Sequence, residues 1–324
     1  MIKSPSRALS VAILGGGAAG MSCALWLKQL GYTPIIIEPH HRLGGQLLSL
    51  NRVNRWVLGA PNKTSTALAE AYADHVSIEA ITCVPNARVL AISEKPAGYE
   101  LVIQTPDQLG RLLLVRALVI ATGTRALSHE IFSHLPSFQS VQSSGLLSFF
   151  PIDHLDHLTT LHGKTIAIIG GGDNAYFTAI DVAQAGALAY LLIRSSPKAK
   201  MSVRQATEPL IQQGLIIERT QTQVSVFRQH QDGIEISLNH AADKINVDRI
   251  FVRAGFAPNT EFLGTFAVFS DIAQEAGYLL TDSAKRTSIP WVYAIGDVAN
   301  STHQSVVSAI ADGAIAAQDL SKRA

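Results

Sequence analysis

The chain has 324 residues, 47% of them hydrophobic, and its 26 lysines and arginines nearly balance 25 aspartates and glutamates, leaving a net charge of +1. That length and apolar content suit two domains with sizeable cores, and a near-neutral charge without blocks of one sign argues against nucleic acid or an anionic membrane as partner. MIKSPSRALS meets the first apolar run too soon to hold a signal peptide's apolar core, and no run reaches the roughly eighteen uncharged apolar residues of a membrane span, so a soluble cytoplasmic protein is expected.

Val11 to Leu14 is a short apolar run that stops at Gly15, Gly17 and Gly20; an amphipathic helix follows to about Leu30, and a second apolar run, Ile35 to Ile37, ends in Glu38. Strand, glycine turn, helix, strand, acid is the order of a dinucleotide-binding unit. Gly15 makes the tight turn, Gly17 lets backbone amides approach a pyrophosphate, and Gly20 lets helix and strand pack closely. The pyrophosphate would rest on the helix N-terminus, where unpaired N–H groups and the helix dipole favour an anion. Glu38, at the end of the second strand, can hydrogen-bond both hydroxyls of an adenosine ribose. A plain βαβ turn without ligand is the alternative.

In the irregular stretch after Glu38, Gly44 and Gly45 could bring backbone against a flat ring system, with Gln46 supplying a side-chain amide; His40 and His41 lack a third metal ligand at useful spacing. Thr64 to His75 reads as a helix capped by Asn62 or Thr64, and Ala87 to Ile92, Tyr99 to Gln104 and Arg111 to Val115 as a small antiparallel sheet. Ala117 to Ile120 is a buried strand running into Ala121-Thr122-Gly123-Thr124-Arg125, which closes a first unit. Ser128 to Gly163 is loop-rich; its cluster of Asp153, His154, Asp156, His157 and His162 is read as a polar connection, and no metal site is expected.

The pattern then begins again. Lys164 to Ile169 is a strand, Gly170, Gly172 and Ala175 make GxGxxA, Tyr176 to Gln184 is helical and Leu188 to Ile193 is a strand. Two such fingerprints in one chain imply two dinucleotides facing one another. The second copy ends in Arg194, followed by Lys198 and Lys200, where a carboxylate would repel a 2′-phosphate and an arginine can grip one; NADPH is favoured, with NADH possible. Leu210 to Ile250 supply another helix and strands. Strand Val292 to Ile295 leads to Gly296-Asp297, whose carboxylate can reach a ribityl hydroxyl, and a small-residue helix from about Gln304 to Leu320 follows.

The ordered set GGGAAG, Glu38, GGQL, ATG, GGGDNA, GFAPNT and GDV, with a Gln-bearing helix after it, resembles the low-molecular-weight thioredoxin reductases and their disulfide-free relatives, the bacterial ferredoxin-NADP reductases of thioredoxin reductase type. The resemblance runs over nearly the full chain. It implies an α/β fold of two Rossmann-like three-layer nucleotide-binding domains: a FAD domain formed by residues 1–124 and 253–324, with an NAD(P)H domain of residues 125–252 inserted, and hinges around Arg125 and Arg253. It also implies that Gly15, Gly17, Gly20 and Glu38 bind the ADP half of FAD, that Gly45 and Gln46 line the isoalloxazine, and that Thr122 and Gly123 close over FAD. Asp297 would bind the ribityl chain with Gln304 near the ring, and Gly170, Gly172, Ala175 and Arg194 would hold the nicotinamide nucleotide. A homodimer is expected on the same ground.

Three departures shape the functional expectation. Where thioredoxin reductases carry CxxC, this chain has Asp153-His154-Leu155-Asp156, and its two cysteines, Cys23 and Cys83, form no CxxC; disulfide reduction needs one thiol to attack and one to resolve. Of the family's paired arginines after the second strand only Arg194 is kept. The sequence also ends at Ala324, soon after the last helix, without the C-terminal extension those ferredoxin reductases use. The resulting expectation is a FAD-dependent NAD(P)H oxidoreductase passing electrons to a ferredoxin or flavodoxin, with the chemistry on the flavin and no catalytic side chain. The alternatives are a disulfide oxidoreductase using Cys23, Cys83 or a partner's thiols, and a FAD-binding or sensor protein with a repurposed nicotinamide site.

Overall fold

A computed structural model describes residues 9–49, 52–150, 153–231, 233–239, 243–299 and 302–323. In chain order the first segment contains β1 (Ser10–Leu14), α1 (Ala18–Gln29), β2 (Thr33–Ile37), α2 (Ser65–Ile78), β3 (Thr82–Val84), β4 (Arg88–Lys95), β5 (Gly98–Gln104), β6 (Arg111–Val115) and β7 (Ala117–Ile120). After β8 (Thr124–Ala126) come α3 (Phe138–Gln142), β9 (Leu147–Ser148), β10 (Thr165–Ile169), α4 (Asp173–Gln184), β11 (Leu188–Leu192), α5 (Met201–Gln212), β12 (Ile216–Arg219), β13 (Val224–His230), β14 (Gly233–Leu238), β15 (Asp243–Val247) and β16 (Arg249–Val252). The chain then returns through β17 (Phe256–Pro258), β18 (Gln274–Glu275), β19 (Tyr278–Leu279), β20 (Val292–Ala294) and α6 (Val306–Arg323).

Two compact units result, Met1–Arg125 with Pro258–Ala324, and Ala126–Ala257. The first has a five-stranded sheet in the order β20-β7-β1-β2-β3, parallel throughout, and a three-stranded sheet β4-β5-β6. The second repeats the plan with β12-β11-β10-β16-β9 and β13-β14-β15. Alternation along the central strands explains the layers, because successive side chains point to opposite faces. In β1, Val11 and Ile13 pack with residues of α1 and α6, whereas Ala12 and Leu14 pack with Ile92, Leu101, Ile103 and Leu113 of the antiparallel sheet. In β10, Ile166 and Ile168 meet α4, and Ala167 meets Phe227, Ile234 and Ile236. Each unit is thus a three-layer α/β sandwich with its parallel sheet buried on both faces.

The return crossing falls between Ala257 and Pro258, five residues later than the sequence suggests. Arg253, expected at a hinge, is 6% exposed inside the second unit; its backbone N–H donates to Ile169 O at 2.7 Å and its Nε to Thr178 Oγ1 at 3.2 Å. α5 starts at Met201 rather than near Leu210. Its inward stripe, Val203, Thr207, Leu210 and Ile211, keeps helical spacing, but it contains a polar residue and Pro209 sits in the last turn, and these two features mask the helix in the sequence. α6 starts at Val306, leaving Gln304 outside it: Ser305 Oγ accepts the Ser308 N–H at 3.1 Å and Ser308 Oγ accepts the Ser305 N–H at 3.1 Å, a reciprocal cap that fixes the helix start.

α1 and α6 lie unusually close because Gly313 has no side chain. A Cβ there would stand 2.6 Å from Ala19 O and 2.7 Å from Cys23 N. Gly313→Ala would gain about 1 kcal/mol of helix propensity, but the overpacking would cost about 1–3 kcal/mol. A net loss of stability is expected, read as a lower urea midpoint at unchanged slope.

Candidate functional site

The carboxyl ends of β1, β7 and β20 meet at the first glycine turn. Gly15 adopts φ +110°, and a Cβ there would lie 2.4 Å from Ala121 O; one on Gly20 would lie 2.1 Å from Gly15 O. These two glycines are demanded by the turn and by the approach of α1. Gly17 differs: it is the N-cap of α1, has no side-chain cap, and a Cβ there would meet only Gly45 Cα at 4.0 Å. No acid occupies the first turn of α1. The N–H groups of that turn therefore open onto a cradle that a side chain would fill, which fits a pyrophosphate.

Glu38, 4% exposed, accepts the Gly16 N–H on Oε2 at 2.7 Å and the His40 N–H on Oε1 at 2.9 Å. Two backbone donors fix the carboxylate beside the turn, and its remaining lone pairs can meet ribose hydroxyls. Gly16 was not singled out from the sequence, yet a Cβ on it would strike Leu43 Cδ2 at 2.4 Å. The run of three glycines was the signal for it.

Gly44 N–H donates to Gly16 O at 2.9 Å, so the Gly45–Ser49 3-10 turn borders the glycine turn, and a Cβ on Gly45 would come 3.1 Å from Gly17 Cα. Gln46 Nε2 donates to Thr124 O at 2.8 Å and to Thr124 Oγ1, which commits its amide nitrogen to the segment after β7. Thr122 is likewise tied: its hydroxyl donates to Asn259 O at 2.8 Å, Asn259 Nδ2 donates to Thr122 O at 2.9 Å, and Asn259 N–H donates to Gly123 O at 2.9 Å. Gly123, at φ +64°, has open space where a Cβ would be. Asn259, from the GFAPNT segment, clamps this loop, a role set by a partner 137 residues away in the chain.

At the end of β20, Gly296 adopts φ +71° and Asp297 follows in a 3-10 turn. Burial, with the charge of Asp312 added, pushes the Asp297 carboxyl up to about 6. Asp312, 6% exposed on α6, accepts the Gly296 N–H at 3.1 Å and pairs with Lys285 Nζ at 2.7 Å. Lys285 holds φ +67°, a left-handed conformation rare for a residue with a side chain. The Lys285–Asp312 pair thus fixes the Gly-Asp turn from beneath. Gln304 is exposed; its Nε2 donates to Tyr278 Oη at 3.3 Å and to Asp297 O at 3.5 Å.

The second glycine turn is built in the same way but carries an acid. A Cβ on Gly170 (φ +149°) would lie 2.1 Å from Arg253 O, Ala175 is fully buried, and Gly172, the N-cap of α4, faces open space. Asp173, in the first turn, accepts the Lys200 N–H at 2.8 Å and pairs with Lys200 Nζ at 3.1 Å. Lys198 and Ala199 N–H groups both donate to Gly171 O, at 2.7 and 2.9 Å. The loop carrying Arg194, which is exposed, is therefore strapped across this turn. Lys200 is engaged by Asp173, while Arg194 and Lys198 are exposed on the same loop.

The stretch that replaces CxxC is a 3-10 helix, Asp153–Thr160; the side chains of Asp153, His154 and Asp156 lie outside the described residues. Arg249 Nη1 and His157 Nε2 are 3.4 Å apart, and no group of three metal-ligating side chains is found among the described residues. Cys23 is fully buried, which pushes its thiol up to about 12, and burial also raises that of half-buried Cys83.

Residues 9–313 match the model of the pyridine nucleotide-disulphide oxidoreductases. NADH dehydrogenase of Bacillus subtilis (strain 168) is 26% identical over 95% of the chain, and the chain spans 57% of that relative's length. The fold superposes on thioredoxin reductase from Lactococcus lactis in its FR conformation with a TM-score of 0.82, at 21% identity, covering 97% of this chain and 98% of that one. A covalent putidaredoxin reductase–putidaredoxin complex gives a TM-score of 0.75 at 20% identity, covering 97% and 75%.

The Asp297 carboxyl binds its proton more tightly in the folded than in the unfolded chain, so its burial destabilises the apoprotein above pH 6 and ceases to do so as pH falls toward 4. Asp297→Asn should therefore raise apoprotein stability at pH 8 by about 1–3 kcal/mol, with the gain vanishing near pH 4, while weakening FAD binding. Urea titrations at the two pH values, beside a FAD titration, check both.

Proposed function

The chain belongs to the pyridine nucleotide-disulphide oxidoreductase family, whose members bind FAD and NAD(P)H, and on that premise we propose that it passes electrons from NAD(P)H through FAD to a small redox protein, not to a disulfide of its own. The carrying observation is the duplicated glycine turn at the carboxyl ends of two parallel sheets, joined to a cysteine pair unsuited to dithiol chemistry. FAD would lie on Gly15, Gly17, Gly20 and Glu38, with Gly45, Gln46, Thr122, Gly123, Asp297 and Gln304 around its ribityl and ring portions. NADPH would lie on Gly170, Gly172, Ala175 and Arg194.

When bound, the flavin accepts two electrons as a hydride and releases them singly or together. The chain's own contribution is placement and electrostatics. The open N-termini of α1 and α4 receive the pyrophosphates, Glu38 is held by backbone donors to meet a ribose, and the Lys285–Asp312 pair sets Asp297. For a one-electron carrier the balance is one NAD(P)H consumed, with NAD(P)+, one proton and two reduced carriers formed. The putidaredoxin reductase likeness supports a small redox protein as acceptor by analogy of fold. No helix among the described residues is long and apolar enough to cross a membrane.

A repurposed second site is the reading to test against this one, because Asp173 places a carboxylate at the very turn that would receive the second pyrophosphate. Anaerobic addition of NADPH to the FAD-loaded protein should bleach the flavin absorbance. Silence with both NADPH and NADH would establish the repurposed site instead. Arg194→Ala should cut the preference for NADPH over NADH about tenfold, the worth of one charge-assisted contact of about 1.4 kcal/mol. The Cys23→Ala, Cys83→Ser double variant should keep NADPH oxidation by a neutral quinone within about twofold of the parent; a loss of ten- to hundredfold, in protein that still binds FAD, would restore thiol chemistry.

A further inference from the structure

Between Pro39 and Ala69 the sequence carries Arg42, Arg52, Arg55 and Lys63 and no aspartate or glutamate, in a chain whose net charge is only +1. Part of this stretch is an ordered projecting loop. Val53 and Thr64 form an antiparallel bridge, Asn54 N–H donates to Lys63 O at 2.8 Å, Ser65 N–H to Arg52 O at 2.9 Å, and Trp56 N–H to Asn54 Oδ1 at 3.0 Å. Val57 turns inward onto the Leu47, Leu68 and Ala69 cluster. Its neighbours do not: Trp56 is 70% exposed and Leu58 fully exposed, with Arg55 and Lys63 exposed beside them.

Large apolar side chains held in water on a hydrogen-bonded loop, with a buried cluster within reach of the residue between them, mark a surface made to be covered. Val57 packs with Leu47 and Leu48 of the Gly45–Ser49 turn, which borders the first glycine turn, so whatever covers the loop comes to the edge of the FAD site. We propose that the Arg52–Lys63 loop is the docking surface for a small acidic redox protein, with Trp56 and Leu58 as apolar anchors and Arg55 and Lys63 supplying charge complementarity. The proposal rests on the function proposed above and names the surface where that acceptor sits.

Three physical arguments favour this occupant. Electron-transfer interfaces are small, and tryptophan and arginine are the side chains that concentrate binding energy in them. A basic rim accelerates encounter with an acidic partner and is screened by salt, which suits a complex that must form and part at every turnover. A second copy pairing through this loop about a two-fold axis would set cations against cations.

The test uses the FAD-loaded full chain with NADPH, a plant-type [2Fe–2S] ferredoxin as acidic carrier and a neutral quinone as small acceptor. Charge reversal by Arg55→Glu should lower kcat/KM for ferredoxin at least tenfold at low salt, and raising ionic strength should erase most of the difference. Trp56→Ala should raise the ferredoxin KM several-fold at any salt. Neither change should move the quinone rate by more than about twofold. Ferredoxin turnover within twofold of the parent in both variants overturns the docking surface while leaving the proposed function standing. If NADPH reduces the quinone but the parent neither reduces nor binds ferredoxin, the acidic carrier is wrong. If NADPH does not reduce the flavin, the proposed function fails, and calorimetric binding of oxidised ferredoxin to parent and Arg55→Glu protein still decides the surface. A dimer in sedimentation that Trp56→Ala dissociates would assign the loop to a second copy and overturn the proposal.

Discussion

The close approach of backbone to backbone at the carboxyl ends of the parallel strands is the constraint on which the rest of the molecule depends. Gly15 leaves no room for a Cβ against Ala121 O, Gly20 none against Gly15 O, and Gly170 none against Arg253 O. Where strands end that close together, a helix can start directly above the sheet with its first N–H groups facing outward, and an anion can rest there. The same tight packing continues behind the sheet, where Gly313 brings α6 against α1. The glycines therefore do two separate jobs: some permit the scaffold, and Gly17 and Gly172, where a Cβ would meet nothing closer than 4.0 Å, leave the helix N-termini uncrowded.

The two units use one plan with different electrostatics. The first turn has no acid in α1, and its carboxylate, Glu38, is held beside the glycine turn by two backbone donors. The second has Asp173 in the first turn of α4, neutralised by Lys200, and a loop folded back onto Gly171. An unpaired carboxylate at a helix N-terminus would be favourable in the empty protein but would compete with a phosphate; pairing with Lys200 weakens that competition. The strap also restricts where Arg194 and Lys198 can stand.

Charge beneath the Gly296-Asp297 turn follows a similar rule. A buried carboxylate is costly unless it is paired and hydrogen-bonded. Asp312 satisfies both conditions through Lys285 and the Gly296 N–H, and Asp297 satisfies neither as fully, so burial raises its proton affinity. A carboxyl that is poorly solvated in the empty protein gains most when a ligand hydroxyl donates to it. Stability surrendered at a site and recovered on binding is the usual thermodynamic relation between the two.

Sequence alone determined the βαβ repeats, the glycine turns, the parallel and antiparallel strand runs, and the absence of a CxxC from this chain, because each is local: a steric demand at one residue, or a periodicity over five to ten. The α/β fold class and the thioredoxin reductase-like relationship followed from the order of those local signals. Tertiary structure decided what depends on residues far apart in the chain. Asn259 clamps Thr122, Lys285 neutralises Asp312, Gln46 is committed to Thr124, and Arg253 belongs to the second unit's core. The start of α6 after Gln304 was set by two serine hydroxyls, a choice between neighbouring caps that no period distinguishes. Local stereochemistry can be read from one dimension; which distant side chain satisfies a buried donor or charge is known only when the sheets bring the partners together.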